Sequence, residues 1–273
     1  MTIKTNRTES DSSNKTSSGK IIVDIKNVSQ EFEVGTEKIQ VLKKVDFELQ
    51  DKTFNIIYGP SGSGKSTLLN ILTGLQQPST GEVVFAGKHL YELSPDELAY
   101  FRAVEIGIVY QQNHWVKSLN VVENVALPLW FSGMGRSESL KKASAMLETV
   151  NMTGYEKKYP GLLSGGEQQR IATARALIND PLFIIADEPT GSLDSKNGDM
   201  IMKLLERCND EMGRTIILVT HNMEYLPLAD HLLHIEDGLV TQTTKHQNIR
   251  DVTNDLLDDM KKRINSMQVK KHG

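Results

Sequence analysis

A parallel sheet wrapped by helices, with a helical insertion in its middle, is the α/β architecture this sequence predicts. Three observations carry it. The runs TFNIIYG, PLFIIADE and RTIILVTH are apolar nearly throughout rather than alternating, as strands covered on both faces are. A segment with apolar residues at helical spacing separates the second run from the third. Between Ser94 and about Asp180 the texture is mostly helical.

Each element has a local reason. KIIVDIKNVSQEFEV is dominated by β-branched residues with partial alternation, and VLKKVDFEL repeats that style. TFNIIYG ends at Gly59, and EVVFAGKHL reads as a strand with a turn at Gly87. SPDELAYFR opens a helix with Ser94 as cap, Pro95 at the first helical position and Glu97 at the third. SESLKKASAMLETV sets Leu140, Ala143, Leu147 and Val150 on one face. Between these two helices lie IGIVYQQ and VENVALPLWFSGMG, the latter read as a proline-containing connection. Ile201, Leu204, Leu205, Cys208 and Met212 share another helical face, which makes Cys208 a core residue. HLLHIEDGLV reads as a hairpin turning at Asp237-Gly238. His231 and His234, three apart on its first strand, point to opposite faces and are excluded as a metal pair.

Composition bounds the function classes. The chain has 273 residues, 38% hydrophobic and 24% charged, enough to bury a core. A net charge of −4 argues against a nucleic-acid binder. A single cysteine, Cys208, excludes an internal disulfide framework and suits a reducing compartment. No stretch approaches the roughly 18 apolar residues of a spanning helix, and the N-terminus has no apolar signal region. A cytoplasmic protein is therefore expected, with any membrane-spanning part supplied by another chain. Residues 1–20, rich in Ser, Thr, Asn and Lys, read as a disordered tail. Residues 21–240 read as one domain, with its helical subdomain at about 94–180. Residues 241–273 read as an extension carrying an amphipathic helix, with Ile249, Val252, Leu256, Met260, Ile264 and Met267 at three- and four-residue steps. Its apolar face would bind a membrane surface, a partner, a second copy or its own domain.

Three segments carry chemistry. GPSGSGKS, from Gly59 to Ser66, fits G-x-x-x-x-G-K-[ST] between an apolar strand and the helix STLLNILTG. Glycines let backbone N–H groups turn inward around phosphates, and the helix N-terminus points its donors and positive dipole end at them. Lys65 would reach the β- and γ-phosphates, and the Ser66 hydroxyl would ligate Mg²⁺. In FIIADE a buried strand ends in a carboxylate. Asp187 would sit at the sheet edge where α/β ligands bind and hold the Mg²⁺, with Glu188 positioned to polarise an attacking water. In LLSGGEQQRIATARAL, Ser164, Gly165 and Gly166 open a helix. It is a second anion-suited N-terminus, and one nucleotide does not need two. An economical solution is that it serves a nucleotide held by another copy.

With these residues in hand, the chain resembles the ATPase subunit of ABC transporters over about residues 21–240. GPSGSGKST looks like Walker A, VYQQ like the Q-loop, LSGGEQQR like the signature, FIIADEPTGSLD like Walker B plus D-loop, and VTHN like the H-loop. The resemblance implies a P-loop NTPase core with an antiparallel β subdomain and an inserted α-helical subdomain. It implies that Gly59, Pro60, Ser61, Gly62, Ser63, Gly64, Lys65, Ser66 and Thr67 bind ATP. Ser66, Gln111 and Asp187 would arrange Mg²⁺ and its waters. Glu188 would be the base, and His221 would contact the γ-phosphate and position water. Leu163, Ser164, Gly165, Gly166 and Glu167 would form the signature that meets the ATP of the opposite subunit, and Asp194 would belong to the D-loop. Phe32 takes the place of the adenine-stacking aromatic, usually Tyr, or is a plain strand residue.

ADEPTGSLD and VVENVALPLWFSGMG look most like the group of lipoprotein-release, macrolide-efflux and division-associated ATPases, the LolD, MacB and FtsE types. That group usually has Asn where this chain has Ser192. The resemblance implies a separate membrane permease of MacB or FtsX type, peripheral attachment to the inner face of the membrane through it, and a dimer of identical or different ATPase subunits. Alternatives are a division-type regulator that transports nothing, or an ABC protein acting on ribosomes or DNA. After Gln111 the chain reads QNHWVKSLN where the family often has a Leu-Leu-Pro-like run. Trp115 there would either anchor a partner helix or pack within the helical subdomain.

Overall fold

The structure is a computed structural model that describes residues 19–244. The tail read at 1–20 and the extension read at 241–273 lie outside the described residues, save for 19–20 and 241–244. Two sheets form the frame. The smaller is antiparallel, in the order β2-β1-β4-β5: β1 (Ile21–Val34), β2 (Glu37–Gln50), β4 (Thr80–Phe85) and β5 (Lys88–His89). The larger runs β10-β9-β3-β8-β7-β6. Its strands β3 (Phe54–Tyr58), β6 (Ile106–Tyr110), β7 (Phe183–Asp187), β8 (Thr215–Val219) and β9 (His231–Glu236) are parallel. Strand β10 (Leu239–Thr244) returns antiparallel through the expected turn, where Asp237 and Gly238 both have positive φ. The α/β class with an antiparallel β subdomain is thus borne out.

The apolar runs behave as period-two strands buried on both sides. Ile57, Phe183, Ile185, Ile217 and Val219 face one core, shared with the small sheet and with α1 (Lys65–Leu72). Ile56, Ile184, Ala186, Ile216 and Leu218 face a second, under α5 (Gly165–Leu177) and α6 (Ser195–Asp210). Phe85 of the small sheet meets Phe183 of the large one edge-on at 4.0 Å between centroids, which locks the two sheets together. A third core joins α3 (Val121–Phe131), α4 (Arg136–Thr149) and α5. Helix α5 faces two cores at once, with Ala172 and Leu177 on the sheet side and Ile171, Ala174 and Ile178 on the helical side.

Three local readings change. The segment read as a connection is helix α3. Asn120 and Glu123 cap it reciprocally, and Val121, Val125 and Leu129 are buried. Pro128 removes one backbone donor inside the helix, and burial of that apolar stripe outweighs the loss. Helix α6 ends at Asp210, so Met212 lies beyond the buried face and is 38% exposed. Strand β6 falls inside the stretch read as helical and pairs with β7 in the large sheet. The helix expected from Ser94 is α2 (Pro95–Glu105), and its capping box forms as expected.

Candidate functional site

The ends of β3, β7 and β8 gather the chemistry at one edge of the large sheet. Strand β3 runs into the loop Gly59–Gly64, where Gly59, Gly62 and Gly64 have φ of 153°, 80° and 110°. At Gly59 a Cβ would come within 2.0 Å of the Ile235 carbonyl, so only glycine lets the loop leave the sheet here. No side chain caps helix α1, and a helix N-terminus at the end of such a loop offers N–H donors suited to an anion. The resulting cavity of about 380 Å³ is lined by Gly59, Ser61, Gly62, Gly64, Lys65, Ser66 and Thr67 from this side. Asp187, Glu188 and His221 line it from the other. The Lys65 ammonium donates to the Gly59 and Pro60 carbonyls at 3.0 and 2.7 Å, which holds the loop's one cation at its mouth.

The two carboxylates differ in setting. Burial, with the neighbouring charge of Glu188 added, pushes the Asp187 carboxyl up, and Lys65 partly offsets this. Such a carboxylate favours a cation beside it. With the Ser66 hydroxyl in the same cavity, the oxygen donors suit Mg²⁺. Glu188 sits in the left-handed region at φ 46°, unusual for a non-glycine residue. Its backbone N–H donates to the Val219 carbonyl at 2.9 Å, and its carboxylate lies 2.8 Å from His221 Nδ1. The turn therefore aims Glu188 sideways at His221, two residues beyond the end of β8.

Other expected members lie apart. Gln111 does not line the cavity; its side-chain nitrogen lies against Gly191. Ser63 is buried within the loop. Phe32 is half-exposed on β1, directly opposite Ile39, and does not line the cavity either. Val41 and Val219 do line it, and sequence reasoning missed both. Val41 falls at a register shift, where Glu31 pairs with Gln40 and Gln30 with Leu42, so strand alternation did not point to it.

The second N-terminus is built as expected but elsewhere. Ser164 caps α5, and Glu167 returns the bond to the Ser164 N–H at 2.8 Å. The Tyr155 hydroxyl donates to the other Glu167 oxygen at 2.6 Å. That bond first, and Ser164 second, hold the Glu167 carboxyl down at about 2. Gly166 packs so closely on Asn197 that a Cβ would meet its Oδ1 at 2.4 Å. Asp194 caps α6 through the Asn197 N–H. None of Leu163–Glu167 or Asp194 lines the cavity at Gly59. Folding favours ionised Glu167, so its contribution is complete above the ordinary value of 4.5 and fades as pH falls toward 2. Urea melts should show the stability margin of wild type over Glu167→Gln shrinking between about pH 5 and pH 3. A margin constant over that range would contradict the hydrogen-bonded carboxylate.

Trp115 is not displayed for a partner. It is half-buried between the sheet-side and helical cores, and its indole N–H donates to Gln168 Oε1 at 2.8 Å. The groove nearby, about 260 Å³ between α2, β6, α3 and α5, is lined instead by Arg102, Tyr110, Pro128, Phe131 and Arg175. Phe131 there is 80% exposed.

A family model described as ABC transporter matches residues 42–191. The chain is 40% identical over 234 residues to the uncharacterized ABC transporter ATP-binding protein MJ0796 of Methanocaldococcus jannaschii, covering 84% of this chain and 100% of that one. It is 37% identical over 233 residues to the macrolide export ATP-binding/permease protein MacB of Mannheimia succiniciproducens. That match covers 85% of this chain and 36% of MacB. Among solved structures, the dimeric post-hydrolysis state of the cassette MJ0796 bound to ADP and Pi superposes with a TM-score of 0.76 at 40% identity. It covers 82% of this chain and 98% of that one.

Proposed function

Because this chain belongs to the ABC transporter family, we propose that it is the ATP-binding, ATP-hydrolysing subunit of a complex whose permease is a separate membrane chain. The observation that carries this is the single cavity in which the Gly59–Thr67 loop, Asp187 and the Glu188–His221 pair converge. Loop and helix N–H groups receive the phosphates, and Lys65 turns from its carbonyl partners to the β- and γ-oxygens. Ser66 and Asp187 would hold Mg²⁺, and Gln111 would join them in arranging the ion and its waters. The ion, when bound, neutralises charge building on the phosphate oxygens. Glu188 takes a proton from the attacking water, whose oxygen bonds to the γ-phosphorus as the bond to the β,γ-bridging oxygen breaks. ADP and phosphate result. His221 fixes Glu188 and water relative to the γ-phosphate. Phe32 stacks on adenine, with Ile39 opposite it on β2 and Val41 in the lining of the phosphate cavity.

Leu163, Ser164, Gly165, Gly166 and Glu167 close on the ATP of a second ATPase subunit, and Asp194 lies at the junction of the two sites. Closure drives a permease of MacB or FtsX type, held at the inner face of the membrane and seated in the groove where Phe131 is exposed. Among the described residues, no helix is long and apolar enough to cross a membrane. The test is co-purification of tagged Glu188→Gln protein from native membranes with ATP present, read by mass spectrometry. A membrane protein with four spanning helices and a large outer domain is expected. Ribosomal or DNA-repair proteins without a membrane partner would overturn the reading.

A further inference from the structure

We infer that Trp115 is a positioning residue that ties the segment following Gln111 to the loop at Leu163–Gly166. The inference rests on the proposed role of that loop in meeting the nucleotide of a second subunit. The connection is a continuous relay. The Trp115 indole N–H donates to Gln168 Oε1 at 2.8 Å, and Gln168 Nε2 donates to the Leu163 carbonyl at 3.0 Å. Leu163 immediately precedes the Ser164 cap of α5. One amide thus bridges an indole donor and a backbone acceptor, and the indole fixes which way the amide faces. Losing the N–H frees Gln168 to turn and leaves the Leu163 carbonyl without an oriented donor.

Two further bonds from α5 hold the same segment. Gln169 Nε2 donates to the Tyr110 carbonyl at 3.0 Å, and Arg175 donates to the Asn113 carbonyl at 2.6 Å. The Arg175 guanidinium lies 4.6 Å from the centroid of the Trp115 ring. Residues 110, 113 and 115 are therefore each held by one helix, on both sides of Gln111. Displacement of this segment moves α5, and with it Ser164 and Gly166. Of the three ties, only the one at Trp115 runs on through a side chain to the loop before the cap.

The test starts from Glu188→Gln protein and measures the ATP concentration needed for dimer formation by light scattering, beside ATP affinity at concentrations too dilute to dimerise. Adding Trp115→Phe keeps an aromatic ring, though a smaller one, and removes the N–H. It is expected to raise the ATP requirement for dimerisation about three- to tenfold, the loss of one part-buried hydrogen bond, with dilute ATP affinity changed less than about twofold. A purely structural role moves the melting temperature and leaves that split absent, and this result overturns the inference. A second measurement keeps Trp115 intact. In a Trp130→Phe background Trp115 is the sole tryptophan, and its emission is expected to shift when ATP drives dimerisation. No shift on dimerisation overturns the inference. If Ser164→Arg leaves dimerisation untouched, the underlying reading of the loop has failed instead.

Discussion

Glu188→Gln is expected to bind ATP as wild type does and to lose turnover by about a hundredfold or more, the scale of a general base. The exchange is nearly isosteric. An amide oxygen still accepts at the position 2.8 Å from His221 Nδ1, and the backbone keeps its bond to the Val219 carbonyl. The left-handed turn at residue 188 is as accessible to Gln as to Glu. What disappears is the capacity to take a proton from water. The variant should accumulate as an ATP-loaded dimer in size-exclusion chromatography, with phosphate release near background. Equilibrium dialysis should return an ATP affinity close to wild type. Turnover at the wild-type rate would remove Glu188 from its role, and loss of ATP binding would show that the substitution disturbs Asp187 instead.

The cavity was legible in the sequence because its parts are local. A glycine-rich loop between an apolar strand and a helix, and a strand ending in Asp187, each carry their own geometry. Their convergence follows from β3, β7 and β8 being neighbours with ends aligned, as Asp187 pairs with Val219 and Ile57 with Val219. Val41, partly buried, was hidden because it reaches the cavity from the other sheet at a register shift between β1 and β2, where alternation does not tell its direction. Helix α3 was hidden by Pro128, a local signal overridden by burial of Val121, Val125 and Leu129. At Trp115 the chain offered two destinations, and the deciding facts were Gln168 and Arg175, more than fifty residues away.

The same distinction between local and distant explains the charge arrangement. Burial raises the Asp187 carboxyl, and the charge of Glu188, its neighbour in sequence, adds to the rise. Only Lys65, from another element, opposes it. On the proposed function, a site with two carboxylates and one loop cation would take a divalent cation together with a polyanion. Mg²⁺ and ATP would then bind better jointly than either alone.

Ser164→Arg is expected to abolish ATP-driven dimer formation and to reduce turnover by about a hundredfold or more, while ATP affinity of the monomer stays near wild type. Ser164 does not line the cavity at Gly59, so a change there has no direct route to nucleotide held by the same chain. Its hydroxyl is exposed at the α5 N-terminus, where, on the proposed function, an arginine would fill the space that the γ-phosphate of a second subunit's ATP would enter. The substitution also removes a helix cap, worth about 1 kcal/mol. Ser164→Ala separates the two effects: it loses the same cap without adding bulk and should melt lower yet still dimerise. Measured together by light scattering and dialysis, the pair decides between occlusion and damage. Equal loss of dimer in both variants assigns the effect to the cap, and loss of monomer ATP binding in Ser164→Arg contradicts a contact made across subunits.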